Sequence, residues 1–572
     1  MTGTQTIGPL SIASGGREYT SHYPAQIDWN EPIAPKPLYE LLDEPVRRVP
    51  SQNAIDFLDK KTTYADLSAQ VDRFAKGLQD RGLKPGDRVG LFLPNCPYFI
   101  IAYFGILKAG GIVVNFNPLY VAKEIEQQIR DSGTEVMVTL DLQALYAKLQ
   151  PMLGTTPLRT IVVCSMADAL PFIKKLLFPI VRRKDLATPP RDQAHPRYAE
   201  LTANDGRYRP VSIDPVKTTA VLQYTGGTTG IPKGAMLTHA NLYANAIQCR
   251  RWFSTFEFGK ERALGVLPFF HVFAMTVIQN QMLSVGAEIV MLPRFEVDAA
   301  LQAIETKRPT FMAGVPTMYT AFNTAVAKQP RNLSSIRNCI SGGAPLPLEV
   351  KQRFEQVTGC FLVEGYGLTE ASPVTHCNPL GGVAKAGSIG LPLPLTRVEL
   401  RDITDATRVV PKGERGEICI GGPQVMAGYW NRAEATQQQM VGGLLRTGDI
   451  AMMDEDGYFF IVDRMKDLII CSGFNVYPRV VEEAVYQHPS VEECTVIGID
   501  DSYRGQSPKA FVKLQAGKTL TSDELIQFLK DKLNPIEMPR EIEFRDALPK
   551  TLIGKLSKKE LVAEEAAKGR KA

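Results

Sequence analysis

Between Arg88 and Gly343 the chain repeats one pattern, a short apolar run followed by a longer segment with helical spacing of its apolar residues. The runs are RVGLFLP (88–94), IVVNF (112–116), VMVTL (136–140), TIVVC (160–164), TAVLQYT (219–225), RALGVLP (262–268), AEIVML (287–292) and NCISGG (338–343). Such runs suit strands buried on both faces, and strands that alternate with helices pair in parallel. The pattern predicts a doubly wound α/β body with mainly parallel sheets. The most membrane-like stretch, Tyr98 to Phe116, is broken by Lys108, Gly110 and Gly111 and falls short of a membrane span. It reads as a buried helix followed by a buried strand.

From about Val398 the character changes to short alternating segments, VELRDI, GEICIGG and YFFIVDR, separated by Gly, Asp and Glu turns. These predict a small antiparallel, barrel-like subdomain at about 398–462. The last hundred residues offer helix, strand, strand, helix and strand, enough for a small α+β unit, and the tail AEEAAKGRKA reads as a solvated helix. A chain of 572 residues exceeds what one core usually supports. The expected division is a body at 1–462, a junction at 463–467 and a C-terminal unit at 468–572.

A formal charge of +4 is too weak a bias to argue for nucleic acid as the main partner. Nine cysteines, widely spaced and with no CxxC pair, favour reduced thiols over a disulfide framework or a zinc site. The first twenty residues lack a basic head followed by an apolar core, so a secretory signal is not expected and the cytoplasm is. One segment resembles an insertion: ADALPFIKKLLFPIVRRKD (167–185) sets eight apolar residues among five basic ones. A surface that touches anionic membrane and a buried turn with snorkelling lysines fit it equally, because Pro171 and Pro179 would interrupt a helix.

Three stretches carry chemistry. YTGGTTGIPKG (224–234) has the composition of a phosphate cradle. Gly226, Gly227 and Gly230 let backbone amides converge on an anion, Thr225, Thr228 and Thr229 add hydroxyls, and Lys233 adds a charge. It is not a Walker loop, because Lys233 follows Pro232 rather than the second glycine. Alone, the stretch is as readily a flexible glycine turn. EGYGLTEASP (364–373) combines an aromatic face for a base, a hydroxyl for a phosphate at Thr369 and a hard oxygen ligand for Mg²⁺ at Glu370. In RTGDI (446–450) and DRMKD (463–467), Asp449 could accept both hydroxyls of a ribose and Arg464 could support the same sugar.

With these motifs in order, the sequence resembles the acyl-adenylate-forming superfamily of AMP-binding acyl-CoA synthetases, luciferases and peptide-synthetase adenylation domains. The likeness runs from about residue 50 to 561 through YTGGTTGIPKGAMLTH, FFHVFAM (269–275), SGGAPL (341–346), EGYGLTE, RTGD, DRMKD and PKTLIGK (549–555). GFNVYPRVVEEAV together with KAGGIVVNFNPLY (108–120) looks like bacterial long-chain fatty acid CoA ligases. The resemblance implies two half-reactions. A carboxylate attacks the α-phosphate of ATP, with Mg²⁺, to give acyl-AMP and pyrophosphate; the thiol of coenzyme A then takes the acyl group.

By that resemblance, Thr225 to Lys233 would cover the β and γ phosphates. Gly342, Gly343, Ala344, Pro345, Tyr366 and Gly367 would line the adenine, Thr369 would hold the α-phosphate and Glu370 the magnesium. Asp449 and Arg464 would hold the ribose. Lys555 matches the catalytic lysine, Lys466 the hinge of a mobile lid, His271 the acyl-site histidine, and Gly473 with Phe474 the coenzyme A channel. Lys558 stands where the family usually has arginine, keeping the charge and losing planar bidentate pairing. Other readings are a medium-chain or aromatic acid CoA ligase, a fatty acyl-AMP ligase serving a carrier protein, or a non-catalytic nucleotide- or lipid-binding protein. A homodimer stays open.

Overall fold

The computed structural model describes residues 20–225, 232–472, 474–501, 503–551 and 555–569. Two parallel-rich sheets form the body. The first runs in the order Thr160–Cys164, Val136–Leu140, Arg88–Phe92, Ile112–Asn115, Thr219–Thr225, Lys233–Thr238, and only its last pair is antiparallel. The second has nine strands. Its parallel centre joins Phe361–Gly367, Asn338–Ser341, Phe311–Gly314, Arg262–Gly265, Glu288–Met291 and Asn53–Phe57, and antiparallel strands close both edges.

Every predicted apolar run of the body supplies one of these strands. Their residues are almost wholly buried because helices cover both faces. The helix Pro97–Lys108 shows why 98–116 is so apolar: every residue from Pro97 to Leu107 is buried. Lys108 emerges at its end and meets Asp72 at 2.7 Å. The apolar-run pattern does not reach the edge strand Lys60–Thr63, which is mostly polar and exposed.

The change of character near Val398 marks a five-stranded antiparallel sheet built on Arg397–Arg401, Gly416–Gly421, Leu444–Met453 and Phe459–Arg464. A second five-stranded sheet, including Val491–Asp501, Gly505–Leu514 and Glu541–Phe544, lies beyond Ile469. It has a core of its own around Val481, Val485, Val496, Val512, Leu525 and Leu529, separate from the body's. All nine cysteines are free and buried. Among the described residues no helix is long and apolar enough to cross a membrane.

The segment 167–185 departs from the reading as a buried turn, and its prolines do not prevent a helix. Pro171 stands just before a helix, Phe172–Val181, and Pro179 is tolerated inside it; no residue of this helix is buried. The missing amide of Pro179 costs one helical bond near an exposed end, where water can serve the freed carbonyl.

Candidate active site

The carboxyl ends of neighbouring parallel strands form the floor of a cleft. Asn338–Ser341 and Phe361–Gly367 lie side by side, with Ser341 opposite Glu364, so Gly342 to Pro345 follow the end of one strand beside Tyr366 and Gly367 at the end of the other, and Leu368 to Glu370 follow these. Open α/β sheets bind ligands at such edges. Gly343 has φ +84°, and a side chain there would overlap Lys555, whose Nζ lies 2.9 Å from the place a Cβ would take. A glycine is needed on both counts, conformation and space. A residue expected to line a base is thus the seat of the lysine.

Asp449 faces Arg464 across an antiparallel pair. Its Oδ2 accepts the Tyr366 hydroxyl at 2.5 Å, and its Oδ1 lies 3.2 Å from Arg464 Nε. The RTGD segment of the strand Leu444–Met453 is held from below: Gly448 N–H donates to Glu417 Oε1 at 3.0 Å, and Arg446 donates to Glu417 Oε2 from Nε and Nη2 at 2.9 and 2.7 Å. Glu417 is 1% exposed. It was not among the expected residues, and its signal is a carboxylate inside the strand GEICIG, where an unpartnered charge would be costly. Glu417→Ala should lower stability by about 2–3 kcal/mol, because it strands Arg446 and the Gly448 amide. A thermal melt within a degree of wild type would count against that anchor.

Glu370 sits in a short turn, Thr369–Ala371. Its Oε1 accepts the Tyr429 hydroxyl at 2.8 Å. Burial pushes its carboxyl up, and the Tyr429 hydrogen bond and the Lys233 charge pull it back. Lys233 Nζ stands 5.0 Å from the centre of the Tyr429 ring. Tyr429 therefore links the carboxylate to the lysine, and it too escaped the sequence reading. Only pairing places it: Ala235 bridges Tyr429, and the Trp430 amide donates to the Gly234 carbonyl at 2.8 Å. Thr225 pairs with Lys233 across the hairpin. Gly226, Gly227, Thr228, Thr229 and Gly230, between them, lie outside the described residues, as does Gly473. Phe474, beside Gly473, is exposed in the strand Phe474–Val476.

His271 caps the helix Val272–Ala274, its Nδ1 accepting the Phe273 amide at 3.3 Å. Burial, helped by the Lys555 charge, pushes its pKa down to about 3, so the ring is neutral at pH 7. His239 has a structural place: its Nδ1 accepts the Leu38 amide at 3.0 Å, and burial holds it near pKa 4.

From the C-terminal unit comes Lys555, on a turn tied by the Thr551 amide to the Lys555 carbonyl at 2.6 Å and by the Lys555 amide to Thr551 Oγ1 at 3.1 Å. Burial, then the Arg464 charge, lowers its pKa to about 8, with Asp449 opposing. Lys558 Nζ lies 2.9 Å from Glu482 Oε1. Burial works against its charge, and Glu482 and Asp463 outweigh burial.

The junction itself is bonded. Lys466 lies in the turn Met465–Asp467, its pKa lowered by burial and then by Arg464. Asp463 accepts the Arg464 amide at 2.7 Å and the Arg479 amide at 2.8 Å. It thereby caps the helix Pro478–Tyr486, whose own N-cap residue, Tyr477, makes no side-chain bond. Burial raises the Asp463 carboxyl to about 6. Arg479 also faces Glu364 of the body, whose carboxyl burial pushes up to about 7 while the Arg479 charge pulls it back. Among the described residues no group of three or more acidic, histidine or cysteine ligands could hold a metal.

Known proteins are similar to the chain along most of its length. The family described as AMP-binding enzyme matches residues 42–430, and AMP-binding enzyme C-terminal domain matches 480–555. Long-chain-fatty-acid–CoA ligases of Bacillus subtilis and Escherichia coli O6:H1 are 43% and 36% identical over 96% of this chain and 98% of theirs. Among solved structures, ATP-bound MatB from Rhodopseudomonas palustris superposes with a TM-score of 0.81 at 27% identity, covering 92% of this chain and 98% of that one. Apo MatB, at the same coverage, scores 0.73.

Proposed function

The chain belongs to the AMP-binding enzyme family, and from that premise we propose that it is an ATP-dependent ligase joining a long-chain fatty acid to coenzyme A. The observation that carries the reading is the placing of Lys555 against Gly343, beside Asp449, Arg464 and the neutral His271. A lysine from one folded unit completes the cleft of another.

In this reading the acyl carboxylate enters beside His271, whose uncharged ring lines the site without competing for a proton. The Lys555 ammonium lies between that carboxylate and the α-phosphate, two anions that repel each other. Such preorganised charge supports attack at phosphorus without a protein nucleophile. Thr369 holds the α-phosphate, and the loop from Thr225 to Lys233 holds the departing pyrophosphate. Asp449 and Arg464 take the ribose; Tyr366 exchanges its bond to Asp449 for a place along the adenine with Gly342 to Pro345 and Gly367. Glu370 would hold Mg²⁺, which supplies charge neutralisation of the phosphates. One carboxylate suits an ion that travels with ATP and keeps phosphate and water ligands.

We divide the chain into a body at 1–462, a hinge at 463–467 and a lid at 468–572. Rotation at Lys466 would withdraw Lys555 after acyl-AMP forms and bring Gly473 and Phe474 to the coenzyme A channel, so that one cleft serves two reactions. The bond from the Arg479 amide to Asp463 and the attraction between the Arg479 charge and Glu364 favour the closed, adenylating arrangement. We place the protein in the cytoplasm, at the inner face of the membrane; a homodimer is compatible with this reading.

The test is carboxylate-dependent exchange of pyrophosphate into ATP over a series of chain lengths, repeated with coenzyme A to assay thioester. The ligase reading expects the highest kcat/KM between C12 and C18 acids, with AMP released. ADP as product, or exchange that ignores fatty acid, would sink it. Preference for aromatic or medium-chain acids, or for a carrier protein over coenzyme A, would move it to the alternatives.

A further inference from the structure

Water-exposed helices bury their apolar face and show their charges. The helix Phe172–Val181 buries none of its residues, the apolar ones included. At 100° per residue, Phe172, Leu176, Ile180, Ile173, Leu177 and Val181 follow one another around half its circumference. Each of these six is between 51% and 76% exposed. The opposite side faces the protein. Lys174 Nζ lies 2.8 Å from Asp59 Oδ2 and donates to the Leu58 carbonyl at 3.0 Å, and Lys175 Nζ lies 2.7 Å from Asp168 Oδ1. Between them Phe178 is half-buried against the body's core. The two lysine contacts and Phe178 lie on the side of the helix toward the body, so the apolar side faces out.

Single exposed apolar residues are ordinary; six in one contiguous patch mark an interaction surface. Just past the helix, Arg182, Arg183 and Lys184 are all exposed, and residues 172–185 carry five basic side chains against one acid, Asp185.

We propose that this helix docks the protein on the surface of a bilayer containing anionic lipid. It lies in the interface plane, with the six apolar side chains among acyl chains and Arg183 and Lys184 against phosphate headgroups. Ten residues span only about 15 Å, half of a bilayer's hydrocarbon thickness, so the helix lies on the membrane rather than across it. An apolar face with a basic rim complements such a surface. A second copy of the chain fits less well, because a two-fold contact through this face would set one basic rim near its like. The inference stands on exposure and charge, not on the ligase reading, although an amphiphilic acid would gather at the same interface.

Co-sedimentation of the full-length protein with vesicles tests it, using roughly seven parts phosphatidylcholine to three of phosphatidylglycerol, and phosphatidylcholine alone. The wild type should sediment with the anionic vesicles and less with the neutral ones, and raising salt from roughly 0.1 M to 0.5 M should weaken binding. Ile173→Glu with Ile180→Glu should reduce partition by about tenfold or more, and Arg183→Glu with Lys184→Glu should remove the preference for anionic lipid. Both double variants should keep the wild-type melting temperature and octanoate-dependent exchange, which separates a lost surface from a lost fold or a failed ligase reading. Wild type left in the supernatant with anionic vesicles would overturn the proposal. So would an Ile173→Glu, Ile180→Glu protein that sediments as wild type does, or one that merely turns a dimer into a monomer.

Discussion

Lys555→Ala should lower carboxylate-dependent exchange of pyrophosphate into ATP by about 10²–10³-fold, the usual cost of removing one preorganised charge from a transition state. Transfer to coenzyme A from supplied acyl-AMP should be largely kept, because only adenylation uses the lysine. The structure adds a pH dependence. In the proposed reaction Lys555 acts as a cation, and its pKa is lowered to about 8 by burial and the Arg464 charge. The charged form is present below that value and lost above it, so adenylation should fall as pH rises through about 8. Lys555→Arg should be slower at neutral pH yet show no alkaline limb there, since a guanidinium stays charged. A wild-type profile flat to pH 10, or an alanine variant that exchanges normally, would remove Lys555 from the chemistry.

Asp449→Asn should cut kcat/KM for ATP by about 10²-fold. Two hydroxyl bonds to a carboxylate contribute about 1.5–3 kcal/mol each, and an amide, with one acceptor oxygen, keeps part of one. A second effect follows from the cluster. Asp449 is the negative group that offsets Arg464 at Lys555. Losing its charge should move the alkaline limb of adenylation to lower pH, and should do so only while position 555 is lysine. Unchanged kcat/KM for ATP would refute the ribose role; an unmoved limb would refute the coupling.

Much of the fold was legible because strands buried on both faces leave a local trace, a run of aliphatic residues bounded by turns. The stretches 224–234, 341–346 and 446–450 stood out in the sequence for a related reason. Glycines and threonines in close succession serve tight backbone and anions better than they serve cores. Glu417 and Tyr429 left weaker traces. One is a single carboxylate in a strand and the other an aromatic beside a turn, and each takes its meaning from partners far away in sequence, Arg446 and Glu370.

The segment 167–185 marks the same limit from the other side. Its composition allowed membrane contact and burial alike, since an apolar side chain carries no record of which way it points. Asp59 and Asp168 decided that by drawing the lysines inward.

The sequence by itself determined the strand and helix alternation, the antiparallel region and the order of the glycine-rich stretches. These depend on residue type and near spacing. Only the tertiary structure decided that Lys555 lies against Gly343, that its pKa falls to about 8, and that Asp463 caps a helix beyond the hinge. Burial and charge pairing depend on what packs alongside, and long-range contacts settle that.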